Sequence, residues 1–181
     1  MNIQQTEISG PLLFTPKKFT DARGAFWETY NERVMQQAGL PIEWKQDNTS
    51  VSKRNVIRGI HYQITQPQGK LVRVTYGAVF DVAVDLRRAS ATFGKHISVE
   101  LSEENGAMLW IPPGFGHGFA VLGERAGFAY KVTDYYSPTG ERTILWNDPA
   151  LAIQWPIDEG DAIVSVKDQQ GSRFDHAEVF P

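Results

Sequence analysis

Several short stretches combine residue types that can move protons or grip a charged ligand. Arg58-Gly59-Ile60-His61-Tyr62-Gln63 sets a histidine and an arginine among apolar residues. Histidine is the side chain that exchanges protons near neutral pH, so His61 is a candidate base. A hydrogen-bonded histidine on a surface strand is the plainer alternative. Extended backbone would put Gly59, His61 and Gln63 on one face. In Pro112-Pro113-Gly114-Phe115-Gly116-His117-Gly118-Phe119, prolines stiffen the approach and glycines allow close packing around His117, before an apolar strand. In Tyr130-Lys131-Val132-Thr133-Asp134-Tyr135-Tyr136, strand parity predicts one face for Tyr130, Val132, Asp134 and Tyr136. A tyrosine can donate a proton or stack on a base or sugar. The run Asp21–Glu28 sets Arg23, a rigid donor fork for phosphate, beside Gly24, with Phe26 and Glu28 following. Gln46-Asp47-Asn48 offers groups that can read the edge of a base. Lys70 and the pair Lys167-Asp168 add charge near apolar strands.

These residues need strands to position them. Val72 and Val74 alternate with Arg73 and Thr75, and Tyr76-Gly77-Ala78 can turn the chain. Phe80, Val82, Val84 and Leu86 then alternate with Asp81, Ala83 and Asp85, and Ile97, Val99 and Leu101 continue the period of two. Further extended segments are expected at Leu12–Phe19, Gly24–Tyr30, Glu43–Ser52, Met108–Ile111, Gly118–Leu122, Gly127–Tyr135 and Thr143–Trp146. One helix is expected after an Asn31 cap, with Val34, Met35 and Ala38 on one face and Gly39 as the stop. A second, short one is expected near Asp158–Asp161. Ten or more strands in one domain, residues 1–181, suggest an all-β sandwich or barrel, most simply a jelly roll.

Composition narrows the function. The chain has 181 residues, with 18 Lys plus Arg against 21 Asp plus Glu and a formal charge of −3. A general nucleic-acid binder would need a basic surface, so no nucleic-acid partner is expected. Cysteine is absent, which removes disulfides, thiol nucleophiles and thiolate metal sites and fits a cytoplasmic protein. Met1 to Phe14 shows no basic segment followed by an apolar run, so no secretory leader is expected. No apolar span reaches the roughly 20 residues of a membrane helix, so no membrane partner is expected either.

Pro112, Gly114 and His117 form the Pro-x-Gly-x-x-His core of the second cupin motif. Metal-binding cupins carry a His-x-His pair earlier in the chain, but the matching slot here is His61-Tyr62-Gln63. No metal and no other cofactor is therefore expected. The order Asp-x-Arg-Gly, Gln-Asp-Asn, Arg-Gly-Ile-His-Tyr-Gln, Gly-Lys-Leu-Val-Arg, Phe-Asp-Val-Ala-Val-Asp-Leu-Arg, Pro-x-Gly-x-x-His-Gly-Phe, Tyr-Lys-x-Thr-x-Tyr-Tyr and Ser-x-Lys-Asp resembles the dTDP-4-dehydrorhamnose 3,5-epimerase family from about Phe14 to Asp168. The sequence departs at the tail, where Gln169-Gln170-Gly171-Ser172-Arg173 replaces a run in which the family often has proline.

The resemblance implies a cupin jelly roll with one or two short helices, working as a homodimer on dTDP-4-dehydro-6-deoxy-D-glucose to give dTDP-4-dehydro-L-rhamnose. It makes His61 the base, Tyr130 the acid, Asp168 the partner of His61, and Lys70 the cation beside the ketone oxygen. It assigns the nucleotide diphosphate to Arg23, Glu28, Gln46, Asn48 and Arg58, with Asp47 counted among the substrate-binding residues. Phe26 and Tyr136 would lie near the thymine, and His117, Glu141 and Lys167 would line the remainder. Arg23, Phe26 and Glu28 would act in the partner subunit's site. The chemistry asks for these types: a neutral base, a carboxylate that fixes its tautomer, a cation for the enolate and an acid on the opposite face. A single-carbon epimerase, a metallocupin and a sugar-nucleotide-binding jelly roll are the competing readings.

Overall fold

The alternating segments become thirteen strands in a computed structural model that describes residues 1–181. They are β1 (Asn2–Gln5), β2 (Leu12–Thr15), β3 (Phe19–Asp21), β4 (Gly24–Phe26), β5 (Gln46–Lys53), β6 (Ile57–Gln63), β7 (Lys70–Tyr76), β8 (Ala78–Asp85), β9 (His96–Ser102), β10 (Met108–Ile111), β11 (Phe115–Val121), β12 (Arg125–Val132) and β13 (Glu141–Thr143). Two helices accompany them, α1 (Glu32–Gln37) and α2 (Val166–Gln169). One sheet runs β1-β2-β10-β7-β12-β5 and the other β13-β6-β11-β8-β9, while β3 and β4 pair only with each other. All the pairings are antiparallel. This is the expected all-β jelly-roll sandwich with short helices.

The sheets close on a core of Val72, Val74, Val79, Ala83, Leu109, Phe119, Val121 and Phe128, and removing that apolar surface from water drives their packing. The other face of the five-stranded sheet is covered as well. Val82, Val84 and Leu86 pack outward under Ile144, Leu151, Phe174 and Phe180 from the C-terminal third of the chain. Hence Asp81 and Asp85 are not solvent-facing members of an alternating strand: both are fully buried.

Several boundaries move for local reasons. Pro16 stands in the break between β2 and β3. Strand β11 starts at Phe115, so His117 lies within a strand and not in a turn before one. Strand β12 stops at Val132, so Asp134 and Tyr136 do not continue the Tyr130 face. Helix α1 forms as expected: the Asn31 side chain accepts from the amides of Arg33 and Val34, Met35 is buried, and Gly39 ends the turn at φ +70°. The Asp158–Asp161 region makes only a single 3-10 turn, Glu159–Asp161, and the second helix, α2, follows it.

Strand β6 breaks its own parity. His61 pairs with His117 but Arg58 pairs with Phe119, so three residues of β6 span two of β11. Gly59 sits at this bulge with φ +125°, and a Cβ there would meet the Gly118 Cα at 2.5 Å and the His117 oxygen at 2.8 Å. Only glycine fits. As a result Arg58 and His61, three residues apart, line the same cleft, while Ile57 and Ile60 are buried in clusters on the opposite face.

Candidate active site

Between the sheets lies a cleft of about 250 Å³ lined by Asn48, Arg58, His61, Lys70, His117 and Tyr130 among others. The five-stranded sheet supplies Arg58 and His61 from β6 and His117 from β11. The six-stranded sheet supplies Asn48 from β5, Lys70 from β7 and Tyr130 from β12. His61 and Tyr130 therefore stand on opposing walls.

Asp168 reaches this cleft from α2, whose first turn is capped by the Ser165 hydroxyl accepting from the Asp168 amide at 3.1 Å. Its Oδ1 lies 2.6 Å from His61 Nε2 and its Oδ2 accepts the Gly59 amide at 3.2 Å. Burial alone would raise the Asp168 carboxyl, but the bonds from His61 and Gly59 outweigh it and hold the group below its ordinary value. An ionised carboxylate only accepts, so His61 Nε2 carries the hydrogen and the lone pair is on Nδ1.

Lys70 is half-buried and its Nζ donates to the His61 carbonyl at 3.3 Å. Burial pulls its pKa down to about 8, against the opposing charges of Asp81 and Glu141. Burial also pushes the Tyr130 hydroxyl up, which keeps it protonated. The His117 ring stacks on Phe128 with centroids 5.8 Å apart, and its Nε2 lies 2.9 Å from Asp81 Oδ2. Asp81 escaped the sequence reading as a site residue. A carboxylate in the middle of a buried strand must find a partner or remain costly, and that is the signal that would have found it.

At the rim, Tyr136 donates to Glu141 Oε2 at 2.7 Å and Lys167 Nζ lies 2.6 Å from the same oxygen. Burial would raise the Glu141 carboxyl, but these two partners bring it below its usual value. Gln46 Nε2 donates to Asn48 Oδ1 at 2.7 Å, and Gln46 Oε1 accepts the Tyr136 amide at 3.3 Å. Gln63 is taken up by the neighbouring loop, where its amide donates to the carbonyls of Gln66 and Tyr135 and accepts from the Ser137 amide.

Of the expected substrate-binding residues, Asn48, Arg58 and His117 line this cleft, while Arg23, Phe26, Glu28 and Asp47 stand apart from it. Asp47 has the opposite parity on β5 and takes two bonds from Lys131 Nζ, at 3.0 and 2.9 Å. Arg23 and Phe26 belong to the exposed β3–β4 hairpin, where Arg23 pairs with Asp21 at 2.6 Å. Glu28 follows the hairpin and accepts from Asn31 Nδ2 at 3.0 Å. No three His, Cys, Asp or Glu side chains are grouped so as to hold a metal ion.

A family model described as dTDP-4-dehydrorhamnose 3,5-epimerase matches residues 5–176. The chain belongs to the dTDP-4-dehydrorhamnose 3,5-epimerase family. It is 52% identical over 182 aligned positions, all of both chains, to the dTDP-4-dehydrorhamnose 3,5-epimerase of Pseudomonas aeruginosa. It superposes on the dTDP-6-deoxy-D-glucose-3,5-epimerase of Legionella pneumophila, solved in complex with dTDP-4-keto-L-rhamnose, with TM-score 0.93 and 46% identity, covering 98% of this chain and 94% of that one. A 3'-monoepimerase from Streptomyces bikiniensis, solved with dTDP-quinovose, is more distant at 31% identity and TM-score 0.88, with 94% and 86% of the chains covered. The 3,5-epimerase fold is thus a cupin-type one, and it carries the cleft described above. No helix is long and apolar enough to cross a membrane.

Proposed function

We propose that this chain converts dTDP-4-dehydro-6-deoxy-D-glucose to dTDP-4-dehydro-L-rhamnose in dTDP-L-rhamnose biosynthesis, with the cleft between the sheets as its active site. One observation carries the assignment of roles: a tautomer-fixed imidazole, a half-buried lysine and a half-buried tyrosine converge on that cleft from two sheets.

The C4 ketone makes the C3 and C5 protons acidic, because the electrons left behind move into an enolate. His61 Nδ1 takes the proton, and Asp168 stabilises the imidazolium that results. The Lys70 ammonium faces the enolate oxygen, where a fixed charge in a dry cleft is worth far more than in water. Tyr130 then gives its hydroxyl proton to the same carbon from the other wall, which inverts the centre. Protons return from His61 to solvent and from solvent to Tyr130, and the cycle repeats at the second carbon. Arg58, Gln46 and Asn48 hold the nucleotide diphosphate, and His117, Glu141, Lys167 and Tyr136 close the rim around the sugar and base.

The β3–β4 hairpin completes the site in trans. Its six residues are exposed and pair with no other strand, and Phe26 is 72% exposed. Such an arm needs a surface to cover it, and in a two-fold homodimer Arg23, Phe26 and Glu28 reach the partner subunit's nucleotide. The same reading puts the enzyme in the cytoplasm.

Incubation with the keto-sugar nucleotide in D₂O, followed by NMR, tests the function. Deuterium at both C3 and C5 with the L-rhamno product is expected. Deuterium at one carbon only would make the chain a monoepimerase. Light scattering should return twice the 20.3 kDa chain mass, and a monomer would remove the trans arm.

A further inference from the structure

Asp81 lies on the core-facing side of β8, between Val79 and Ala83, and is fully buried. Its Oδ2 is 2.9 Å from His117 Nε2, and its Oδ1 has no hydrogen-bond partner. Other buried carboxylates are better supplied. Asp168 accepts from the Gly59 amide besides facing His61, and Asp85 accepts from Arg87, Ser90 and Thr92. An ionised carboxylate with one bare oxygen among apolar side chains is costly, and a group so placed keeps its proton instead. Burial accordingly raises the Asp81 carboxyl, against the opposing pull of His117 and Lys70.

One hydrogen lies between Asp81 Oδ2 and His117 Nε2. If it were the only one, the pair would carry a full negative charge in the core. An uncharged pair needs a second hydrogen. On Asp81 Oδ1 that hydrogen would be stranded with nothing to accept it, which leaves His117 Nδ1. The count is the same whether the shared hydrogen rests on the oxygen, as an acid beside a neutral imidazole, or on the nitrogen, as a carboxylate beside an imidazolium.

His117 Nδ1 is the polar edge that the ring turns to the cleft. It has no partner in the protein, and the only polar side-chain atoms both buried and unpartnered are Trp44 Nε1 and Asp81 Oδ1, so Nδ1 is open to the cleft that His117 lines. The ring is held by stacking on Phe128 at 5.8 Å, and the strand register pairs His117 with His61. Residues paired across strands share a face, so Nδ1 stands on the wall of the base, opposite Tyr130. The other ionisable groups around this part of the cleft are Arg58 and His61 of β6, Lys70 of β7, Tyr130 of β12 and Glu141 of β13.

We propose that His117 serves the epimerisation as a fixed hydrogen-bond donor and not as a second base: the Asp81–His117 pair holds two hydrogens and no net charge, and Nδ1–H meets an oxygen of the keto-sugar beside His61. Asp81 touches no substrate and is the positioning residue of this donor. The two histidines then differ at the same atom: Nδ1 of His61 offers a lone pair, and Nδ1 of His117 offers a hydrogen. His61 keeps the one-hydrogen form because the Gly59 amide supplies the second oxygen of Asp168. The inference deepens the proposed function and rests on its reading of the cleft as the active site.

The test reads the histidine ring nitrogens of ¹⁵N-labelled protein at neutral pH, through their couplings to the ring C–H protons. His117 is assigned by the signals missing from His117→Asn or, should that variant not fold, by its contacts with the Phe128 ring. Its Nδ1 should read as protonated while that of His61 reads as bare. The keto-sugar nucleotide should shift the His117 Nδ1 signal, where dTDP alone leaves it in place. A bare His117 Nδ1, or a signal that the keto-sugar does not move, would overturn the proposal. Asp81→Asn offers an amide N–H to Nε2 in place of the acid, so it should keep Nδ1 protonated and lower turnover less than Asp168→Asn does; an equal loss would overturn the proposal too. Wild-type protein that puts no deuterium into the sugar would refute the proposed function, while the ¹⁵N spectrum still decides the state of His117.

Discussion

The His61–Asp168 pair opens widely onto the cleft, whereas in the His117–Asp81 pair only the edge of the His117 ring reaches the cleft wall and Asp81 is buried behind it. The His61 side chain is 30% accessible and the His117 side chain 9%. Asp168 has partners on both oxygens and sits below its ordinary pKa; Asp81 has one orphaned oxygen and is pushed up by burial, with His117 and Lys70 opposing. The two pairs contain the same groups at similar distances, so composition cannot set their roles. Environment does. A satisfied, ionised carboxylate gives its imidazole a fixed tautomer and a free lone pair, which suits a base. The Asp81 carboxyl, with one oxygen unpartnered in the core, instead holds the His117 ring against the wall of the cleft.

Removing His61 should break the comparison most visibly. His61→Ala is expected to lower turnover by about 10² to 10⁴, the size of a lost general base, with dTDP binding nearly unchanged by calorimetry. Asp168→Asn should follow it closely by mis-setting the tautomer. His117→Asn should cost clearly less, about tenfold; a loss equal to that of His61→Ala would erase the distinction between the pairs.

Gly59 holds the two halves of the open pair together, since its amide bonds Asp168 and its bulge turns Arg58 toward His61. Gly59→Ala pushes a methyl into the Gly118 backbone, so a urea melt should show a loss of about 1–3 kcal/mol, the range for overpacking. Turnover should fall with it. Asp85 supplies the smallest effect and a control. Burial would raise its carboxyl, but the bonds from Arg87, Ser90 and Thr92 bring it to about 2. Its folded pKa lies below the unfolded one, so its stabilisation is full above pH 4 or so and is lost as pH falls toward about 2. Asp85→Asn should therefore destabilise by on the order of 2 kcal/mol at pH 7, lose that penalty in acid, and leave kcat at 25 °C unchanged.

Much of this was legible in the residues themselves. The period of two from Val72 to Leu101 gives β7, β8 and β9, and the Asn31 cap gives α1. The motif around Arg58 and His61 and the motif around His117 do meet on paired strands. What stayed hidden depends on contacts distant in sequence. The slip at Gly59 exists only because β11 presses against it, so local alternation could not place Arg58 beside His61. Both faces of β8 are buried because the C-terminal third folds back over it, and local alternation alone does not show that Asp81 is in the core. Helix α2 has only four residues, too few for a periodic signal, yet it delivers Asp168. Asp47 faces away from Gln46 and Asn48, toward Lys131, because neighbours in a strand lie on opposite faces.

The claim on which everything else depends is that base and acid work from opposing walls. Tyr130→Phe tests it, because it keeps the ring and its packing against Phe128 while deleting the proton donor. Incubated with substrate in D₂O, this variant should still wash deuterium into C3 and C5, since His61 and Lys70 still form the enolate. Inversion should nearly stop, because the proton returns from the His61 wall and restores the starting configuration. Exchange abolished as completely as in His61→Ala, or inversion proceeding at the wild-type rate, would contradict the account.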